Sequence, residues 1–235
     1  MQLIGPSDQA IEEEMAVIQR LVPLEGVKIL ELGCGAAEKT KQISALSDTV
    51  QVTAAEIDQV QHAKNLETKV ARVTFKSYGA ETIHEPDNSY DVVMMFKSLH
   101  HVDLHHLDDA FAEIVRVLKP GGLIYISEPV FAGAYNEVIR VFHDEEAVRL
   151  AAFEAIQSAV DNNKLELVTE HFFKTLINMR SFEQLKKRFL NVSHTDHNIT
   201  SEQLKVVQAC FESNRTPEGY LFEIPNRIDL LRAPS

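Results

Sequence analysis

Two glycines, Gly33 and Gly35, directly follow an apolar run that ends at Glu31 and Leu32. Glycine has no Cβ atom, so a ligand can approach the backbone closely at such a turn. A helix expected from Glu38 onward would offer free backbone N–H groups to the same ligand. This arrangement is typical of a nucleotide-cofactor site after the first strand of an α/β sheet.

A second acid, Glu56, ends the next predicted strand, where a carboxylate can accept hydrogen bonds from both hydroxyls of a ribose. These features fit two cofactors, a dinucleotide and S-adenosylmethionine. The dinucleotide fingerprint G-x-G-x-x-G/A has its third small residue at position 38, where Glu38 would repel a pyrophosphate. Because Glu31 also suits a cationic ligand, the sulfonium cofactor is favoured, and an NAD-dependent oxidoreductase is the weaker alternative.

The elements that must position these residues follow from apolar periodicity. Strands are predicted at residues 27–32, 50–57, 73–78, 90–96 and 123–127, and helices at 8–21, 38–46, 59–69 and 106–118. Short apolar strands that alternate with helices pair in parallel and are covered on both faces. We therefore expect an α/β fold, a Rossmann-like, doubly wound and mostly parallel sheet.

The pattern changes after residue 130. Residues 134–162 are predicted to be mainly helical, 165–176 a strand, 182–189 and 202–212 helices, and 219–233 a last strand interrupted by Pro225. We expect a single domain with a seven-stranded sheet. Its parts would be an N-terminal helix (1–25), a cofactor-binding core (26–130), a helical substrate cap inserted after strand five (131–164) and a C-terminal part that completes the sheet (165–235).

Composition limits the classes of partner that the chain is expected to bind. The chain has 235 residues with 23 Lys and Arg against 35 Asp and Glu, a net charge of −12. That balance argues against a nucleic-acid backbone and, more weakly, against an anionic membrane surface. The N-terminus lacks a signal-peptide pattern, and no apolar run approaches the roughly 18 residues that span a bilayer. Two cysteines form no disulfide framework, so a cytoplasmic protein is predicted. With nucleic acid and membrane disfavoured, a small-molecule partner is expected; no oligomeric state is assigned.

Several motifs in order resemble one family. "ILELGCGAA", "VTAAEID", "GAETIHEPDNSYDVVMMFKSLHHV" and "EIVRVLKPGGLIYISEP" are similar to the motifs of class I S-adenosylmethionine-dependent methyltransferases, in the type 11 or UbiE-like group. The resemblance covers roughly residues 27–130, and "RVLKPGG" after an amphipathic helix is its most specific part. It implies an enzyme that transfers the activated methyl of the cofactor by in-line displacement.

The resemblance also implies roles for individual residues. Glu31 would lie near the methionine amino group, Glu56 would hold the ribose hydroxyls, and Ile57 would pack on the adenine. Two departures stand out: Ala37 replaces a common third glycine, and Gly79 replaces an Asp that bonds the adenine amino group. The cofactor residues carried over are Glu31, Gly33, Cys34, Gly35, Glu56, Ile57, Gly79, Ala80, Glu81, Phe96 and Lys97.

The acceptor side offers candidates but no clear base. The catalytic candidates are His100, His101, Glu128, Tyr135 and His143. Asn136, Arg140 and His143 would share one helical face, either a substrate wall with Arg140 as an anion partner or a solvated surface.

Two histidine-rich stretches are candidate metal sites. In "HHVDLHH" (100–106) adjacent side chains point in different directions, so no metal is predicted. "HTDH" (194–197) is interpreted as a solvated loop. The absence of a clear base, together with Gly79, motivates an alternative function as a non-catalytic cofactor-binding sensor or partner subunit.

Overall fold

The computed structural model describes residues 1–187 and 199–234. Its helices are α1 (Glu14–Leu21), α2 (Glu38–Leu46), α3 (Gln59–Leu66), α4 (Leu107–Val117), α5 (Ala134–Ile139), α6 (Glu146–Asp161), α7 (Phe182–Leu185) and α8 (Ser201–Glu212). Its strands are β1 (Lys28–Leu32), β2 (Gln51–Ala55), β3 (Val73–Lys76), β4 (Tyr90–Phe96), β5 (Leu118–Pro129), β6 (Glu166–Met179), β7 (Arg215–Thr216) and β8 (Gly219–Arg232). Two 3₁₀ turns, Leu99–His101 and Leu104–His106, follow β4.

One sheet joins the strands in the order β3-β2-β1-β4-β5-β8-β6, and β7 pairs with β8. Strands β1 to β5 are parallel, whereas β8 runs antiparallel between β5 and β6. The predicted doubly wound, mostly parallel α/β fold is confirmed, with one short strand more than expected. The strand order reverses between β1 and β4, which is where this architecture opens a ligand crevice.

Helices cover the sheet on both faces, as the alternating pattern predicts. On one face, Phe111 and Ile114 of α4 pack with Ile156 of α6 in a buried apolar cluster. On the other face, Ile18 of α1 and Ile43 of α2 belong to a second buried cluster. A third buried cluster joins α5, α7, α8 and β8. Among the described residues, no helix is long and apolar enough to cross a bilayer.

The N-terminal helix is shorter than predicted. It begins at Glu14 rather than near residue 8, because residues 10–12 are extended against the edge of β6. The backbone N–H of Glu12 donates to the carbonyl of Lys174 at 3.0 Å, and the N–H of Lys174 donates to the carbonyl of Ala10 at 2.8 Å. An exposed strand edge has unpaired backbone N–H and C=O groups, and only an extended segment can pair with them. These hydrogen bonds outweigh the helical pattern of residues 10–12.

The other differences lie around and after β5. Strand β5 begins at Leu118, which already pairs with Tyr90, rather than at residue 123 as predicted, and "KPGG" (119–122) lies at a bulge inside the strand, where Gly121 has a positive φ of 72°. Residues 140–145 divide the predicted long helix into α5 and α6. Strand β8 runs on through Pro225, where β5 has already ended opposite Asn226.

Candidate active site

A cleft of about 610 Å³ opens at the carboxyl ends of β1, β2 and β4. Its lining consists of Leu32, Gly33, Cys34, Gly35, Glu56, Ile57, Tyr78, Gly79, Ala80, Glu81, Met95, Phe96, Lys97, Ser98, His101, Val102, Asp103 and His106. Every residue carried over for the cofactor lies in this lining except Glu31. The cleft therefore brings together three separate sequence motifs, as the parallel topology requires.

The glycine turn is shaped by backbone conformation. Gly33 and Gly35 have φ angles of +71° and +52°, which side chains other than glycine rarely adopt. A Cβ atom on Gly33 would also lie 2.6 Å from the Cβ of Ser98. Ala37, the departure from the motif, holds a left-handed φ of 58° at the start of α2.

Glu56 is locked into the same turn. One carboxylate oxygen accepts the backbone N–H of Gly35 at 2.7 Å, and the other accepts that of Asp58 at 2.9 Å. Each oxygen keeps a further lone pair for a ligand hydroxyl. The acid that the sequence singles out for a diol is thus held rigidly at the rim of the cleft.

Two acids lie beneath the turn, and sequence reasoning found only one of them. Glu31 is buried, accepts the hydroxyl of Thr40 at 2.6 Å, and its pKa is raised by burial to about 7. Glu14 of α1 is also buried; it accepts a hydrogen bond from Ser127 and pairs with Lys39 at 2.7 Å. Glu12, Glu13 and Glu14 form one acidic run, and nothing in the sequence indicates that Glu14 is the buried member.

Cys34 does not look like a nucleophile. It is buried, and Asn65 donates to its sulfur at 3.6 Å. Burial raises the pKa of its thiol to about 12, and the carboxylates of Glu31 and Glu56 add to the shift. A protonated thiol is inert, so the residue fills space beside the glycine turn.

At the opposite end of the cleft, Glu81 faces Gly79. A Cβ atom on Gly79 would lie 2.3 Å from a carboxylate oxygen of Glu81. The carboxylate of Glu81 therefore occupies the place that an Asp side chain at position 79 would take. Ile57 is exposed at the rim nearby.

Lys97 and His101 border the third side of the cleft. Lys97 has a left-handed φ of 53°, a conformation that costs a non-glycine residue about 1 kcal/mol or more. Desolvation lowers the pKa of its ammonium. Burial, followed by the charge of His100, also lowers the pKa of His101.

Behind this wall, His100 is held between two carboxylates. Its Nδ1 is hydrogen-bonded to Glu128, whose other oxygen accepts the backbone N–H of Leu99 at 2.9 Å. Its Nε2 lies 3.6 Å from Glu145. Burial disfavours the protonated ring, but the hydrogen bond to Glu128 and the nearby carboxylate of Glu145 outweigh it and raise the pKa of His100 to about 9.

Tyr135 and Arg140 of the predicted cap lie away from the cleft. Tyr135 packs edge-on against Phe222, with ring centroids 5.5 Å apart. Arg140 forms outward ion pairs, one of them with Glu146 at 3.4 Å. Helix α5 ends at Ile139, but the backbone N–H groups of Arg140 and His143 still donate to the carbonyls of Asn136 and Ile139. The common face of Asn136, Arg140 and His143 stays a prediction.

Two of these cap residues nevertheless lie near the site. Asn136 is buried, with its Oδ1 3.5 Å from Arg149, and His143 bonds Glu145 at 2.8 Å. The "HTDH" stretch (194–197) lies outside the described residues.

Comparison with known proteins identifies the core of the chain. Residues 29–122 match the model of the family described as "Methyltransferase domain". They form a methyltransferase domain. The predicted resemblance to the class I, UbiE-like group is thereby confirmed for this part of the chain.

Curated relatives match the methyltransferase domain with moderate identity. The ubiquinone/menaquinone biosynthesis C-methyltransferase UbiE of Shewanella pealeana is 32% identical over 51% of this chain and 48% of its own length. The O-methyltransferase rstn1 of Aspergillus nomiae is 33% identical over 54% of this chain and 58% of its own length. The chain thus spans about half the length of the curated relatives it matches.

Solved structures share the fold over nearly the whole chain. A putative methyltransferase from Bacillus halodurans C-125 has a TM-score of 0.64 at 18% identity, covering 94% of this chain and 99% of that one. Haemonchus contortus phosphoethanolamine N-methyltransferase 2, solved with phosphomonomethylethanolamine and S-adenosylhomocysteine, has a TM-score of 0.57 at 20% identity, covering 94% and 52%. At these identities the likeness extends the methyltransferase fold to residues beyond the matched domain.

Proposed function

We propose that this chain transfers a methyl group from S-adenosylmethionine to a small-molecule acceptor. The observation that carries the proposal is the cleft at the strand-order reversal, where the glycine turn and the clamped Glu56 of a methyltransferase domain meet. A small acceptor fits a cleft of about 610 Å³, which is within the size range of small-molecule sites.

The cofactor would lie along the cleft in one direction. Its ribose hydroxyls would bond Glu56, its adenine would lie between Ile57 and Glu81, and its methionine end would pass over the glycine turn. The buried acids Glu31 and Glu14 would face the cationic amino group, whose charge favours ionised carboxylates. The methyl would then point toward Phe96, Lys97 and His101.

Methyl transfer in such a site is a displacement at carbon. A lone pair of the acceptor forms a bond to the methyl carbon, and the electron pair of the carbon–sulfur bond stays on sulfur. Orientation of the two reactants can supply roughly 7–11 kcal/mol of the barrier, so a rigid cleft that excludes water is the main requirement. A proton lost by the acceptor would leave toward His101 and the charged groups behind it.

The alternative functions have less support. A dinucleotide would meet the exposed carboxylate of Glu38 in the first turn of α2. A non-catalytic sensor was suggested by Gly79, but Glu81 fills that place. A cytoplasmic setting is part of the proposal and is supported by the two free cysteines, Cys34 and Cys210.

Calorimetric titration with S-adenosylmethionine and S-adenosylhomocysteine tests the cofactor. We expect binding of both, and a loss of about tenfold or more for Glu56→Ala, because the variant leaves ribose hydroxyls unpaired. Glu67→Ala, an exposed acid at the end of α3, is the matched control. Absence of binding at millimolar ligand would overturn the proposal. Transfer of labelled methyl to a metabolite pool separates the enzyme from a sensor.

A further inference from the structure

Three side chains of types that can bind metals come together beside the wall of the cleft at Lys97 and His101, toward which the proposed function points the methyl group. His100 and His101 follow β4, whereas Glu145 precedes α6 and reaches the same place from 44 residues along the chain. One ligating atom of each lies within 4.8 Å of those of the other two. We call these three residues the His100 cluster.

The side chains of the cluster are aimed as metal ligands would be. Glu128 holds His100 through Nδ1, which directs Nε2 toward the Oε1 atom of Glu145, 3.6 Å away. That gap is too long for a hydrogen bond. It is close to the ~3.4 Å between ligand atoms of a tetrahedral ion with bonds of about 2.1 Å.

Both fixed ligands also have supporting partners. A carboxylate behind a ligating histidine, as Glu128 stands behind His100, is the usual outer shell of a metal site. The second oxygen of Glu145 accepts two hydrogen bonds from Arg149, at 2.5 and 3.1 Å. Its Oε1 atom, which also bonds His143 at 2.8 Å, is therefore presented to His100 in a fixed orientation.

The third ligand is adjustable. His101 is exposed, and its ring centroid lies 4.1 Å from that of His100. Adjacent histidines in "HHVDLHH" argue against a metal when the segment is considered alone. The 3₁₀ turn Leu99–His101 instead sets the two rings side by side, and the carboxylate comes from outside the segment.

We propose that the His100 cluster binds a divalent transition-metal ion, with Zn²⁺ the best match to two imidazoles and one carboxylate. Three protein ligands and one open position describe a catalytic rather than a structural zinc site. Because His101 lines the cofactor cleft, the open position faces the place where the methyl would lie.

The metal has a defined task in methyl transfer, and that task rests on the proposed function. An acceptor oxygen or sulfur in the open position would have its pKa lowered, so its proton would pass to water near neutral pH. The resulting lone pair would then form the bond to the methyl carbon as the carbon–sulfur bond of the cofactor breaks, with its electron pair staying on sulfur. The competing arrangement is a proton shared by His100 and Glu145, with no metal and with His101 as the base.

Titration of the full chain with Co²⁺ tests the site without any enzymatic assay. We expect one equivalent to bind and to give the strong visible absorption of tetrahedral cobalt. Glu145→Gln and His101→Ala should each weaken binding by about tenfold or more. Their matched controls, Glu146→Gln and His105→Ala, should leave it unchanged, since both remove a neighbouring exposed group of the same type.

Glu128→Gln supplies an independent test. It keeps the shape of the side chain but weakens the support of His100, so metal affinity should fall by roughly 10- to 100-fold. Circular dichroism checks that the variant folds. Absence of the cobalt absorption, or binding that survives both Glu145→Gln and His101→Ala, would overturn the metal site. Titration of the same proteins with S-adenosylhomocysteine shows separately whether the proposed function stands.

Discussion

The two halves of this molecule use charged residues in opposite ways. In residues 27–130, acids such as Glu56 are fixed at the rim of an open cleft by backbone N–H groups. In the part after residue 130, Arg227 and Asp229 are buried under α6 and pair with each other. The first arrangement would present charge to a ligand, whereas the second satisfies charge inside the protein. Substitution of an acid at the cleft rim such as Glu56 should therefore affect ligand affinity, whereas substitution of Arg227 should affect folding stability.

The largest expected effect is on stability in the second half. Arg227 bonds Asp229 at 2.8 Å, stacks over Phe153 at 4.5 Å, and both members of the pair are almost fully buried. Arg227→Met leaves an unpaired buried carboxylate, so we expect a loss of about 3–5 kcal/mol in the free energy of unfolding, measured by urea denaturation. Affinity for S-adenosylhomocysteine should change less than twofold.

The pH dependence and a double variant check the cause. Burial raises the pKa of Asp229 to about 6, even with Arg227 present. Without Arg227 the pKa of Asp229 should be higher still, so the destabilisation of Arg227→Met should shrink as the pH falls toward about 6, below which the carboxyl is neutral in both proteins. Arg227→Met combined with Asp229→Asn should recover much of the loss. A cost below 1 kcal/mol for the single variant would contradict the contrast between the halves.

The second prediction concerns the glycine turn. Gly33→Ala introduces a Cβ atom 2.6 Å from Ser98 at a φ of +71°, directly in the lining of the cleft. Gly26→Ala is a matched control, because Gly26 has a φ of +70° with no atom within 4 Å of the added Cβ. Both should lose about 1–2 kcal/mol of stability from backbone strain.

Only Gly33→Ala should also weaken cofactor binding, by about tenfold or more, as titration with S-adenosylhomocysteine would show. Its added clash with Ser98 costs a further 1–3 kcal/mol, roughly, beyond the backbone strain that both variants share. Equal effects of Gly33→Ala and Gly26→Ala on affinity would mean that the turn does not contact the ligand.

The third prediction uses the buried acid Glu31. Burial raises its pKa from 4.5 to about 7, so the folded protein binds a proton that the unfolded chain has released. The stabilising contribution is complete below pH 4.5 and is lost as the pH rises through about 7, by about 3 kcal/mol. Urea denaturation across this range should show the decline in the natural protein and in Glu38→Gln, but not in Glu31→Gln.

Cofactor affinity should follow the opposite trend. The cationic amino group of the ligand favours ionised Glu31, so binding should tighten as the pH rises through 7. Calorimetry in buffers of different ionisation enthalpy would detect the released proton. Proton release that persists in Glu31→Gln would assign the linkage to another group.

Local patterns and long-range contacts differ in how well the sequence predicts them. Strands β1 to β5 are found because each is a local apolar run between helices, and parallel pairing then brings Gly33, Glu56 and Phe96 to one edge. Contacts between distant segments carry no such local signal. Glu14 meets Ser127 only in the folded sheet, and residues 10–12 leave their helical pattern only because the edge of β6 is available.

Glu145 is the most instructive case. Its surroundings, "HDEEAVRLAAF", fit one continuous amphipathic helix, whereas the chain breaks between α5 and α6. That break places the carboxylate beside His100 and creates a cluster that no spacing in the sequence predicts. The regular elements of this fold are thus local in origin, whereas the His100 cluster depends on contacts between distant segments.

The smallest predicted effect concerns the adenine end of the first half. The carboxylate of Glu81 lies where a side chain at Gly79 would be, so Glu81 should accept the hydrogen bond of the adenine amino group. Glu81→Ala should weaken binding of S-adenosylhomocysteine by about tenfold, the value of one charge-assisted hydrogen bond in a partly exposed site. S-inosylhomocysteine lacks the amino donor, so the natural protein should prefer the adenine ligand and Glu81→Ala should not.

A second-site change sharpens this test. Gly79 does not have a left-handed φ, and Glu81→Ala removes the carboxylate that would clash with a new side chain. Adding Gly79→Asp to Glu81→Ala should therefore restore both affinity and the preference for adenine over the inosine analogue. Because the rescue moves one carboxylate between two positions of the same loop, it separates a direct contact from a general disturbance of the cleft. If the double variant binds the two ligands equally, the adenine amino group is recognised by something other than a carboxylate at this place.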